Sequence, residues 1–122
     1  MKGYIAGMVL WVVVMQDAYA GQADVVDVRL SRQAQGVYHI DVTVRHADEG
    51  WAHYVNRWDV LTPDGTVLGT RTLYHPHVQE QPFTRSLTDL KIPPKVKHVI
   101  VRAHDSVHAY SGKTMTVAVP LQ

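Results

Sequence analysis

The sequence predicts an all-β protein, a sandwich of about seven short strands. Three observations predict it. Apolar and polar residues alternate with period two along most of the chain, as half-buried strands require. Turn residues recur between these segments at short, regular intervals. No segment after the N-terminal apolar run shows the three-and-four spacing of an amphipathic helix.

Each strand has its own pattern. Val26, Val28 and Leu30 alternate with Asp27 and Arg29. Tyr38, Ile40, Val42 and Val44 alternate with His39, Asp41, Thr43 and Arg45, the clearest strand in the chain. Tyr54, Asn56, Trp58 and Val60 alternate with Val55, Arg57 and Asp59. Thr62-Pro63-Asp64-Gly65 has the residue order of a tight turn and joins this strand to Val67–Tyr74 as a hairpin. Phe83–Leu87 is a short strand beyond Pro76 and Pro82. Val96–Ala103 and Thr114–Val119 complete the set.

The strand carrying Trp58 resembles the third strand of immunoglobulin-like domains, where a buried Trp packs between the sheets. The paired cysteines of true immunoglobulin domains are absent, since the chain has no Cys. The expected architecture is therefore an immunoglobulin-like, fibronectin type III-like β-sandwich, with a small closed barrel as the alternative.

Residues 1–20 read as a secretory signal peptide. Lys2 supplies the positive start, Tyr4–Met15 an uncharged apolar run, and Ala18-Tyr19-Ala20 a cleavage site before Gly21. The run is shorter than the ~20 residues of a membrane span. The expectation is a signal peptide at 1–20, a single domain at 21–122, and a periplasmic or secreted location without stable membrane insertion after cleavage. Cleavage removes one cation, Lys2, and one anion, Asp17, from 12 Lys+Arg and 11 Asp+Glu, so the balance stays near neutral. That argues against a nucleic-acid partner. A domain of this length can build its own core without disulfides.

The chain has 8 His, and five of them fall in three short clusters: His53; His75 and His77; His104 and His108. Imidazole is the commonest protein metal ligand. Pro76 holds the His75–His77 segment extended, which turns both rings to one side. Glu80 follows as an oxygen donor. In an immunoglobulin-like sandwich the third strand pairs with the penultimate one, which brings His53 beside His104, at the end that His75 and His77 also reach, so that all three clusters are expected to come together. The candidate ligands are thus His75 and His77 as the core pair, with His53, His104, His108 and Glu80. His39 and His98 belong to strand faces, and His46, at a strand end, is assigned to neither group. Without Cys, and with Met115 the only Met after residue 20, the donors suit Zn²⁺, Cu²⁺ or Ni²⁺ and exclude a blue-copper site.

His104-Asp105-Ser106 has the residue types of a hydrolase triad, but neighbours on an extended backbone point to opposite faces. Asp48 and Glu49 read as a solvated loop pair. Trp51, Tyr54, Tyr74 and Tyr110 lie near the His clusters and offer a surface for a partner protein or small ligand.

Three segments carry a family resemblance: Thr62–Gly69 (TPDGTVLG), Tyr74–Arg85 (YHPHVQEQPFTR) and Val101–His108 (VRAHDSVH). They resemble a group of small exported bacterial proteins with no assigned activity. The resemblance implies export and a single domain, and no reaction. The reading is an exported binding protein rather than an enzyme. It takes Zn²⁺ or Cu²⁺ through clustered histidines. The alternatives are a metal-free module that docks a periplasmic partner, and a metal-dependent enzyme with an open coordination position.

Overall fold

A computed structural model describes residues 22–47 and 49–121. The expected signal peptide, residues 1–20, lies outside the described residues. Seven strands form two antiparallel sheets. They are β1 (Asp24–Ala34), β2 (Val37–Arg45), β3 (Val55–Leu61), β4 (Val67–Thr72), β5 (Phe83–Lys91), β6 (His98–Asp105) and β7 (Met115–Ala118). One sheet has the order β1-β2-β5, the other β4-β3-β6-β7. The architecture is a β-sandwich, and the two separate sheets exclude the closed barrel. β3 pairs with β6, the third strand with the penultimate one, as expected. β4 lies beside β3, unlike the constant-type immunoglobulin order, where the fourth strand joins the opposite sheet.

The core follows from alternation. Tyr38, Ile40, Val42 and Val44 of β2 point inward against Trp58 and Val60 of β3, Val99, Val101 and Ala103 of β6, and Phe83 and Leu90 of β5. Trp58 is completely buried. Burying each large apolar side chain contributes about 1.5–3 kcal/mol.

Two β-bulges change the phase expected from simple alternation. In β1 the register shifts between Val25 and Asp27, so Val25 is buried and Val28 and Leu30 still pack inward after the break. In β3 the register shifts between Val55 and Arg57. Val55 is therefore buried, and Tyr54 and Asn56 do not share the inward face of Trp58. A bulge adds one residue opposite its partner strand, which resets a period-two pattern.

The β3–β4 turn forms as expected. Gly65 takes φ +95°, which only glycine adopts readily, and its N–H donates to Thr62 O at 2.9 Å. Thr66 N–H donates to Thr62 Oγ1 at 3.0 Å. β5 runs on to Lys91, four residues beyond expectation. Within this extension Asp89 takes φ +57°, where the pairing with β2 shifts register, and its N–H donates to Gln33 Oε1 at 2.8 Å. β6 starts later and ends later than expected, so His104 and Asp105 both belong to the strand. Among the described residues, no helix is long and apolar enough to cross a membrane.

Candidate metal centre

Three strands reach the same end of the sandwich with one more inward position than their apolar residues fill. On β2, Val44 is followed in phase by His46. On β6, Ala103 is followed in phase by Asp105. Before β3, Val55 is preceded in phase by His53. His46, Asp105 and His53 thus close the core with a polar layer between the two sheets. His46 and Asp105 are buried, and His53 is half-buried.

The layer is tightly drawn together. Asp105 Oδ2 lies 2.7 Å from His46 Nε2 and 2.9 Å from His53 Nε2, and the two Nε2 atoms are 3.3 Å apart. Among the described residues, His46, His53 and Asp105 are the one group of three metal-ligand types whose donor atoms all lie within 4.8 Å of one another. Donors around an ion at ~2.0–2.1 Å stand about 3.3 Å apart in a tetrahedron and about 2.9 Å apart in an octahedron. The 2.9 and 3.3 Å spacings match those edges, and the 2.7 Å spacing is shorter than either.

The surroundings orient these side chains. The other oxygen of Asp105, Oδ1, accepts the N–H groups of Val107 at 2.7 Å and His108 at 3.2 Å. This leaves Oδ2 directed at the imidazoles. Burial alone would raise the Asp105 pKa. The backbone N–H of Val107 and the contacts of His108 and His53 outweigh it and hold the carboxyl far below its usual range. His53 Nδ1 lies 2.5 Å from Glu49 Oε1. A carboxylate only accepts, so Nδ1 carries the proton and Nε2 is turned toward Asp105. The Glu49 hydrogen bond is the largest influence on His53 and raises its pKa against the effect of burial. A carboxylate behind a histidine whose other nitrogen faces a ligand cluster is the usual outer support of a metal-bound imidazole. Gln81 braces the layer from the side, accepting His46 N–H at 2.9 Å and donating to His77 O at 2.9 Å.

The structure separates the candidate ligands into three places. His53 and His108 belong to the polar layer, with His108 Nδ1 3.1 Å from Asp105 Oδ2. His104, one residue from Asp105, takes the opposite face of β6. Its Nδ1 lies 2.6 Å from Asn56 Oδ1, its ring meets Tyr110 at 4.8 Å, and burial followed by the charge of Arg57 lowers its pKa. His75 and His77 form a group of their own. Their ring centroids are 4.9 Å apart, and His77 stacks on Phe83 at 4.1 Å. With Trp51 and Glu80 they line a shallow surface depression. Glu80 is engaged by Arg85 Nη2 at 3.0 Å, which holds its carboxyl below the usual range. The topology therefore gathers two of the three His clusters by one member each, not all three.

His46, Asp105 and Glu49 were not among the sequence candidates. The signal for the first two is the strand phase, continued one step past the last apolar residue. Nothing in the sequence singles out Glu49 beyond its four-residue separation from His53.

No family model and no solved structure matches the chain. A protein of Halomicrobium mukohataei described as "Putative lipoprotein" is 41% identical over 96 residues, which cover 79% of this chain and 47% of that protein. The chain thus spans about half the length of the relative it matches.

Proposed function

We propose that this is an exported metal-binding β-sandwich protein that holds one Zn²⁺ or Cu²⁺ through His46 Nε2, His53 Nε2 and Asp105 Oδ2. The observation that carries the reading is the 2.7, 2.9 and 3.3 Å triangle of these donors. With Nδ1–H of His53 given to Glu49, its Nε2 needs either a second proton or a cation to face the Asp105 carboxylate. A divalent ion at the triangle neutralises the carboxylate and takes both imidazole lone pairs at once. Two imidazoles and one carboxylate are a borderline donor set that suits Zn²⁺ and Cu²⁺. Export is supported by the signal-like residues 1–20 and by the name of the Halomicrobium relative.

The experiment is a calorimetric titration of the protein from Gly21 with Zn²⁺ and Cu²⁺. The expected result is one ion per chain, lost in His46→Ala/His53→Ala and kept in His75→Ala/His77→Ala. Binding that only the second variant loses would move the site to the Trp51 depression. Weak binding that both variants leave unchanged would end the metal reading.

A second reading rests on Trp51, Tyr74 and Val78, all exposed large apolar side chains. In it this end of the sandwich docks a partner without metal.

A further inference from the structure

The polar layer is closed on one side and open on the other. The side chains of His46 and Asp105 have 0% exposure, that of His53 14%, and that of His108 40%. Solvent therefore reaches the donor triangle on the side of His108. The core seals the opposite side with Val44, Val55 and Ala103.

His108 is attached to this opening differently from the other donors. It lies on the turn after β6, which is pinned at its base by reciprocal bonds between Asp105 and Ala109, N–H to O at 2.9 Å each way. Asp105 Oδ1 holds the His108 N–H at 3.2 Å, so the backbone of His108 is tied to the carboxylate that also supplies the donor triangle. Its ring is also in contact with the triangle, but with 40% of the side chain open to solvent. Nδ1 reaches Asp105 Oδ2 at 3.1 Å, and the ring centroid is 5.0 Å from that of His53. His108 nevertheless stands outside the set of donors that converge within 4.8 Å. A tethered backbone with a half-exposed ring at the mouth of a three-donor site is the arrangement of a ligand that closes after the ion has entered.

We propose that His108 is the fourth and exchangeable ligand of the ion held by His46, His53 and Asp105, and that the ion enters and leaves past it. This rests on the metal-binding reading above. Each step is a ligand exchange. A water leaves the ion as a His108 ring nitrogen binds, and returns when the ring swings away, with no change in oxidation state. Three protein donors alone would leave the fourth position to water or another ligand, whereas a fourth imidazole fills it with a protein group and closes the site. Two states of one side chain thus give a closed site for retention and an open site for transfer.

The test loads the protein from Gly21 with Co²⁺, a spectroscopic stand-in for Zn²⁺, and then removes the metal with excess EDTA. Wild type is expected to bind one Co²⁺ with the intense visible absorption of a four-coordinate ion. His108→Ala is expected to keep one Co²⁺, to shift its visible bands as water takes the place of the ring in a site that stays four-coordinate, and to release the ion to EDTA faster. The acceleration should reach at least the ~10-fold scale seen when even outer partners of metal ligands are removed. Added imidazole should shift the bands back. An unchanged spectrum and release rate in His108→Ala would show that His108 only hydrogen-bonds Asp105, and the proposal fails while the three-donor site stands. Complete loss of binding in His108→Ala would make it an indispensable ligand and overturn the exchangeable role. Absence of Co²⁺ and Zn²⁺ uptake by wild type would remove the metal-binding reading itself.

Discussion

Asp105 Oδ2 and His46 Nε2 stand 2.7 Å apart, with both side chains shut off from solvent, and join strands that belong to different sheets. The pair is the polar end of a core that is otherwise apolar along β2 and β6. Burying it removes two polar groups from water, and such a contact persists only when each group is satisfied in place. Asp105 meets that condition with five contacts, three to imidazoles and two to backbone N–H groups.

Removing the carboxylate should be costly even without metal. Asp105→Ala deprives the buried His46 of its carboxylate and the turn of its two N–H acceptors. The expected loss is about 3–5 kcal/mol, the scale for breaking a buried pair. Asp105→Asn keeps an oxygen for Val107 and His108 and should lose less. Urea unfolding of both variants in the presence of a chelator gives the comparison. Equal, small losses would mean that Asp105 does not organise this end of the sandwich.

Glu49→Gln tests the outer support of His53. The amide cannot match the carboxylate as an acceptor for Nδ1–H, so His53 loses its fixed tautomer and basicity. Stoichiometry should stay at one ion, with affinity weaker by about 10–100-fold. Competition with a chromophoric chelator measures the change. An affinity equal to wild type would assign Glu49 to the solvent.

The outer face of the β4-β3-β6-β7 sheet carries a second polar group, built on Asp59. It accepts from Thr70 Oγ1 at 2.7 Å, Tyr110 Oη at 2.7 Å and Arg102 Nε at 3.1 Å. The Arg102 guanidinium also covers the Tyr110 ring at 3.8 Å. Burial would raise the Asp59 pKa, but these three hydrogen bonds outweigh it and the pKa is lowered from 3.8. A depressed carboxylate contributes stability that is fully present above its unfolded pKa and is lost as pH falls through the folded value. Wild type should therefore lose stability as pH drops below the ordinary Asp range, and Asp59→Asn should be less stable at neutral pH with a flatter acid limb. Thermal unfolding between neutral and strongly acidic pH reads both curves. Parallel curves would mean that Asp59 does not contribute to acid sensitivity.

The fold was legible because it depends on local alternation. Val42 and Val44 on β2, Trp58 on β3 and Val99 and Val101 on β6 show their inward phase in the sequence, and the turn at Asp64-Gly65 announces its hairpin. The pairing of β3 with β6 also followed from the position of Trp58. What failed locally failed at the bulges: Val55 and Val25 are buried because an extra residue resets the phase, and no residue type marks that reset.

The site was legible in half. The sequence shows that imidazoles collect near strand ends, and His53 and His108 were found that way. It ranks His75 and His77 first because the i, i+2 spacing is visible, and the structure places them outside the polar layer, with His77 stacked on Phe83. It passes over Asp105 because Asp105 sits beside His104, and only strand parity tells which of the two enters the core. By itself the sequence determined the strand phases away from the bulges, and with them most of the side chains that face inward. Only the tertiary structure decided which inward positions meet, because His46, His53 and Asp105 come from segments up to 59 residues apart whose spacing is set by the packing of two sheets.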